Sequence, residues 1–209
     1  CQRSLRIILF LKIYIMKLVK SIKYLNKILD RYRSDGFKIH LTPTMGALHA
    51  GHLKLVKESK KLKSIVVVSI FVNPTQFGPK EDYKNYPRTL KNDLKVLKKY
   101  GTDIVFTPIQ KQILSHKTKY NCPQFAIEKR LCGKSRPKYF PGVKNIVLKL
   151  FDIVQPDAAF FGEKDYQQYL VIKKMTESLK LNTRIICVKT VRDIYGLPLS
   201  SRNNYLSCL

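Results

Sequence analysis

The 209-residue sequence predicts an α/β protein, a doubly wound parallel sheet of Rossmann-like type, on three observations. Strand-like apolar runs alternate with helix-period stripes from Met16 onward, which is the pattern of successive βα units. The strongest run, SIVVVSIFV at 64–72, is apolar at alternate and intervening positions alike, so helices are expected on both of its faces. No internal repeat or low-complexity tract interrupts the alternation, which excludes a solenoid and a disordered tail.

The elements follow in order. Residues 7–15 form a short apolar run behind Arg3 and Arg6, broken by Lys12 and followed by no small-residue cleavage site; residues 1–15 are read as a dispensable extension and no membrane association is expected. Leu18, Ile22, Leu25 and Leu29 recur at helical spacing toward Gly36, predicting a helix and then a short strand at 37–41. A helix at 51–62 precedes the strand at 64–72, and a polar, proline-bearing loop fills 73–86. Leu90, Leu94 and Leu97 mark a helix ending at Gly101, with a strand at 103–107. Residues 109–140 show no clear period beyond a short helix at 125–131. Val143, Ile146, Val147, Leu150 and Phe151 mark the next helix; a strand at 158–161, a helix at 165–179 and a strand at 184–191 complete the alternation.

Forty Lys and Arg against fourteen Asp and Glu give a net charge of +26. Thirty of the forty are Lys, spread over helix faces and not gathered into an Arg-rich stripe, so the charge is read as compositional bias and no nucleic-acid partner is expected. Five cysteines without a C-x-x-C pair are read as reduced structural thiols of a cytoplasmic protein.

In a doubly wound sheet the chemistry belongs to the loops after the carboxyl ends of the strands. The first such loop, Thr42-Pro-Thr-Met-Gly-Ala-Leu-His-Ala-Gly-His52, runs directly into a helix. A helix N-terminus offers unpaired N–H groups and partial positive charge to a phosphate. His49 and His52, three apart, can face the same anion, and Gly46 and Gly51 permit close backbone approach.

The segment PTMGALHAGH resembles the HxGH signature of the pantoate–beta-alanine ligase (pantothenate synthetase) family of nucleotidyltransferases. The blocks at 71–90 (FVNPTQFGPKEDYKNYPRTL), 149–168 (KLFDIVQPDAAFFGEKDYQQ) and 189–207 (KTVRDIYGLPLSSRNNYLS) resemble the family's other signatures, in the same order. The resemblance implies an enzyme that joins pantoate to β-alanine through a pantoyl adenylate, with ATP and Mg²⁺ as cofactors and a homodimeric assembly. It further implies that His49, His52, Lys164 and Arg202 act on the phosphates. ATP would also meet Met45, Gly46, Gly162, Glu163, Asp165, Val191, Leu199, Ser200 and Ser201. Gln76, Gln168, Met45, Asn73 and Arg136 would bind pantoate or β-alanine, and Asp93 would bind Mg²⁺.

Three departures stand out. The family's R-P-G-H-F is Arg136-Pro-Lys138-Tyr139-Phe140 here, and its V-P-T-V-R is Val188-Lys189-Thr-Val-Arg192. The family's smaller C-terminal lid domain has no counterpart, so residues 16–199 are expected to form the ATP- and pantoate-binding domain and 200–209 the SSRN segment and the start of a linker. Three other readings fit less of the chain: a different HxGH nucleotidyltransferase, opposed by Gln76 and Gln168; a fragment of an aminoacyl-tRNA synthetase, with no anticodon-binding region; and a non-enzymatic RNA-binding protein.

Overall fold

A computed structural model describes residues 16–62 and 64–205; the expectations for 1–15 and 206–209 lie outside them. Six parallel strands form one sheet: β1 Lys17–Val19, β2 Ile39–Thr44, β3 Ile65–Ile70, β4 Ile104–Phe106, β5 Ala158–Gly162 and β6 Arg184–Val188, in the order β1-β4-β3-β2-β5-β6. The helices are α1 Ile22–Ser34, α2 Ala50–Lys60, α3 Leu90–Lys99, α4 Gln110–Ser115, α5 Cys132–Ser135, α6 Tyr139–Val154 and α7 Tyr166–Ser178. From β2 the chain steps outward through β3 to β4, then returns through α6 to place β5 on the other side of β2. That reversal makes the crevice between the carboxyl ends of β2 and β5 the expected ligand site.

The 64–72 run divides its apolar side chains between two faces, as a parallel strand requires. Ile65 and Val67 pack with Leu25 and Leu29 of α1, Val147 and Phe151 of α6 and Met175 of α7. Val66 and Val68 pack with Val56 of α2 and Leu97 of α3. Period two in the strand therefore becomes two separate cores, and the doubly wound expectation holds.

The structure corrects the chain's beginning. Leu18 belongs to edge strand β1, opposite Val105 of β4, and not to the first turn of a helix. The reason is local: Ser21 caps α1, its hydroxyl oxygen accepting from Tyr24 N at 3.4 Å, so the helix starts at Ile22 and the preceding residues stay extended.

Within 109–140 the structure adds the short helices α4 and α5, and a 3₁₀ turn at Ala126–Lys129 inside the expected 125–131 helix. Buried lysines of α6 hold this segment. Lys144 Nζ lies 2.6 Å from Glu128 Oε1 and donates to Pro123 O, both side chains of the ion pair being 5% exposed. Lys149 donates to Leu114 O.

A proline shapes the crevice. Asp157 N donates to Ile39 O and Asp157 Oδ2 accepts from Ile39 N, so Ile39, and with it every second residue of β2, turns its polar backbone groups toward β5. Pro43 is one of these and has no N–H to give. Strand β2 pairs with β3 from Ile39 to Thr44 but with β5 only at His40 and Leu41. Beyond Leu41 the two strands part.

Candidate active site

The turn that follows Pro43 is held from three sides. Thr44 Oγ1 donates to Ser69 O at 2.8 Å and accepts from Gly46 N at 3.2 Å. Gly46 (φ +82) and Ala47 (φ +49) are both left-handed, a conformation that glycine adopts without penalty, and they turn two successive N–H groups to one carboxylate. Ala47 N donates to Asp93 Oδ2 at 3.1 Å and Leu48 N to Oδ1 at 2.9 Å; Thr89 Oγ1 adds a third donor at 3.1 Å. A Cβ on Gly46 would sit 3.1 Å from Asp93 Oδ2. Ser201 Oγ, from the far end of the chain, donates to Ala47 O at 2.9 Å.

This geometry changes the reading of Asp93. The residue is 1% exposed and its oxygens are taken by backbone and hydroxyl donors, whereas a Mg²⁺ ligand must present an open oxygen. It does not line the cleft. No group of three or more His, Cys, Asp or Glu side chains among the described residues is arranged to hold a metal ion. Asp93 braces the turn.

His49 is the N-cap of α2, and the two histidines cap the helix reciprocally. Gly51 N donates to His49 Nδ1 at 3.1 Å, and His49 N donates to His52 Nδ1 at 3.4 Å. An Nδ1 that accepts a backbone N–H carries no proton, so each neutral ring bears its hydrogen on Nε2 and keeps that N–H for a ligand. The rings lie 4.1 Å apart. Gly51 is required by this packing, since a Cβ there would come within 2.8 Å of His49 Cε1. Burial pushes His49 below the usual imidazole range, helped by the Lys164 charge. Burial, His49 and Lys164 together push His52 down to about 3. Near neutral pH both are uncharged donors.

Lys164 stands in the 3₁₀ turn Glu163–Asp165 that leaves β5, its Nζ 3.1 Å from Asp165 Oδ1, and it lines the same cleft as both histidines. A helix N-terminus, two imidazole N–H donors and an ammonium in one crevice form an anion site. Val191, Leu199 and Ser200 also line it. Glu163 does not; its carboxylate accepts from Thr190 N at 3.1 Å and ties the segment after β6 to the β5 turn.

The cleft is also lined by Gln76 and Gln168. Asn73, 1% exposed, is engaged at both ends: Oδ1 accepts from Thr75 N and Thr75 Oγ1, while Nδ2 donates to Gly142 O at 3.1 Å and Gln76 Oε1 at 3.3 Å. It therefore orients Gln76, whose Nε2 meets Met45 Sδ at 2.8 Å.

Arg136, expected at the substrate, does not line the cleft; it makes a two-point pair with Glu81 at 2.6 and 2.5 Å. Arg202 does line it and makes a similar pair with Asp82, at 2.9 and 2.7 Å. Each arginine holds its carboxyl partner below the usual carboxylate range. Glu81 and Asp82 escaped the sequence reading, and Tyr139 entered it only as a departure from the family's R-P-G-H-F. An adjacent acidic pair between Lys80 and Lys84, in a chain so poor in acids, was the available signal.

The family model for pantoate–beta-alanine ligase matches residues 17–208. The chain belongs to the pantoate–beta-alanine ligase family. Similar members are the pantothenate synthetases of Acinetobacter baylyi, 51% identical over 193 residues (92% of this chain, 69% of the relative), and Acetivibrio thermocellus, 49% identical over 194 residues (92% and 68%). Among solved structures, pantothenate synthetase from Thermus thermophilus superposes with a TM-score of 0.85 at 41% identity, covering 92% of this chain and 68% of that one. Pantoate–beta-alanine ligase from Francisella tularensis, complexed with β,γ-ATP and β-alanine, superposes at 0.86 and 42%, covering 92% and 74%. A tyrosyl-tRNA synthetase from Archaeoglobus fulgidus shares the fold alone, at 10% identity and a TM-score of 0.53.

Proposed function

We propose that the chain condenses pantoate with β-alanine at the expense of ATP, yielding pantothenate, AMP and pyrophosphate. The observation that carries this reading is one cleft, at the switch point of the sheet, lined both by the phosphate-type donors His49, His52 and Lys164 and by the neutral amides Gln76 and Gln168. In the first step a pantoate carboxylate oxygen attacks the α-phosphorus of ATP; the bond to the departing pyrophosphate breaks and pantoyl adenylate forms. In the second, the amine of β-alanine attacks the acyl carbon, loses a proton, and the bond to AMP breaks.

No protein nucleophile is needed, so catalysis rests on positioning and on charge stabilisation in an in-line displacement. The Nε2–H groups of His49 and His52, with the N-terminus of α2, receive phosphate oxygens, and Lys164 neutralises charge on them. Arg202 joins after exchanging Asp82 for phosphate, a carboxylate-to-phosphate swap suited to its fork. Ser201 joins the 3₁₀ turn Ser201–Tyr205 to the Ala47 carbonyl, and Ser200 adds a hydroxyl. Met45, Gly162, Asp165, Val191 and Leu199 enclose the nucleotide, and Gln76 and Gln168 hold pantoate. Mg²⁺ enters with ATP as part of the substrate. A homodimer, implied by the family resemblance, completes the reading, together with a cytoplasmic location read from the cysteine usage and no nucleic-acid partner read from the dispersed lysines. No helix among the described residues is long and apolar enough to cross a membrane.

Pyrophosphate release from Mg·ATP, followed with pantoate supplied and omitted, tests this. Release that requires pantoate, and equal AMP and pantothenate once β-alanine is added, is expected. Release indifferent to pantoate overturns it.

A further inference from the structure

We propose that Tyr139 is a positioning residue for substrate recognition: its hydroxyl holds the Gln168 amide so that the NH₂ end, and not the oxygen, serves the ligand. The inference rests on the reading of this cleft as the pantoate site and specifies how that site chooses its ligand.

Tyr139 is the first residue of α6 and Gln168 lies in the first turn of α7. The Tyr139 hydroxyl donates to Gln168 Oε1 at 2.9 Å, and both residues line the cleft. An amide side chain has two ends of nearly equal shape, and its surroundings decide which end faces a ligand. Here the oxygen end faces a phenol that is itself fixed. The Arg136 guanidinium lies 3.9 Å from the Tyr139 ring centroid, the Phe140 ring packs edge-on at 5.0 Å, and Arg136 is anchored by Glu81. Burial pushes the phenol up to about 12, so it keeps its proton at every working pH.

Gln76 reaches the same state by another route. Its Oε1 accepts from Asn73 Nδ2, and its Nε2 meets only a thioether, a weak acceptor that a ligand oxygen readily replaces. Among the described residues, Gln168 Nε2 has no hydrogen-bond partner. Both amides thus spend their oxygens on protein donors and offer N–H groups to the cleft. Such a pocket suits a ligand that presents oxygen acceptors, the hydroxyl and carboxylate oxygens of a hydroxy acid. It opposes a ligand presenting an amine or amide N–H at those points, where donor would face donor.

The test is a KM and kcat comparison on the full chain, with a double-mutant cycle. Tyr139→Phe keeps the ring and removes the hydrogen bond; KM for pantoate should rise about tenfold, the scale of one hydrogen bond, with kcat within about twofold and KM for ATP unchanged. Discrimination against the analogue lacking the 2-hydroxyl should narrow, and Tyr139→His should restore much of the loss. In the Gln168→Ala background, Tyr139→Phe should have no further effect, because it acts only through that amide. An unchanged KM in the single variant, or additive losses in the double one, overturns the proposal. Failure of the wild-type chain to respond to pantoate would instead overturn the underlying site reading.

Discussion

On the proposed reading the cleft offers a triphosphate two groups of donors, and they are held in opposite ways. His49, His52 and the 45–48 turn are fixed by backbone hydrogen bonds within a few residues and by the buried carboxylate of Asp93. Arg202 is held by Asp82 across 120 residues, through side chains 44% and 25% exposed. The first group is already in place without a ligand, its hydrogen bonds made within the chain itself. If Arg202 takes phosphate as proposed, it must give up one anion for another, so its contribution is only the difference between two ion pairs. Readiness costs strain at Ala47 and buried polar groups; exchange costs little and contributes less.

Breaking the fixed group should have the largest effect. His52→Ala should slow adenylate formation about a hundredfold or more, the scale of one fixed donor at developing charge, with the fold retained. Single-turnover pyrophosphate release measures it, and an unchanged rate would remove His52 from the phosphate site. Asp93→Ala should strand the Ala47 and Leu48 N–H groups and lower stability by about 2–4 kcal/mol in denaturant unfolding, with Asp93→Asn losing less because one acceptor remains.

A pH series sharpens the same half. The folded pKa of His52, about 3, lies below the ordinary imidazole value, so the unfolded chain binds more protons between those limits. Stability is therefore complete above roughly pH 6.5 and falls on acidification, by up to about 2 kcal/mol at pH 5. His52→Ala should flatten that slope in unfolding curves taken at each pH. The smallest effect belongs to the exchangeable half. Asp82→Asn should change stability by less than about 1 kcal/mol, yet tighten ATP binding severalfold at low salt, because Arg202 no longer has a carboxylate to leave. Weaker binding by calorimetry would show that Asp82 orients Arg202 and does not compete for it.

The same division explains what the sequence disclosed. Strand β3 and the α6 stripe are written in local periods, and the histidines sit in a local motif, so all were readable along the chain. Edge strand β1 is three residues long, too short for a period to separate it from the helix after Ser21. The 109–135 segment takes its order from Lys144 with Glu128 and Lys149 with Leu114, contacts that no window of neighbouring residues contains. Asp93 entered only through the family resemblance, as a Mg²⁺ ligand. The direction of its oxygens depends on a turn 45 residues away.

Pro43 carries a consequence of another kind. Most binding crevices are kept open by bulk, by charge or by a loop that refuses to fold over them, and each of those can yield to heat, salt or a ligand. Here the gap between two neighbouring strands begins where a ring replaces a hydrogen atom. No change of conditions can supply that hydrogen, so the next rung of the ladder stays unmade at this position. The aperture is settled when the peptide bond to residue 43 is made, before the chain has folded at all.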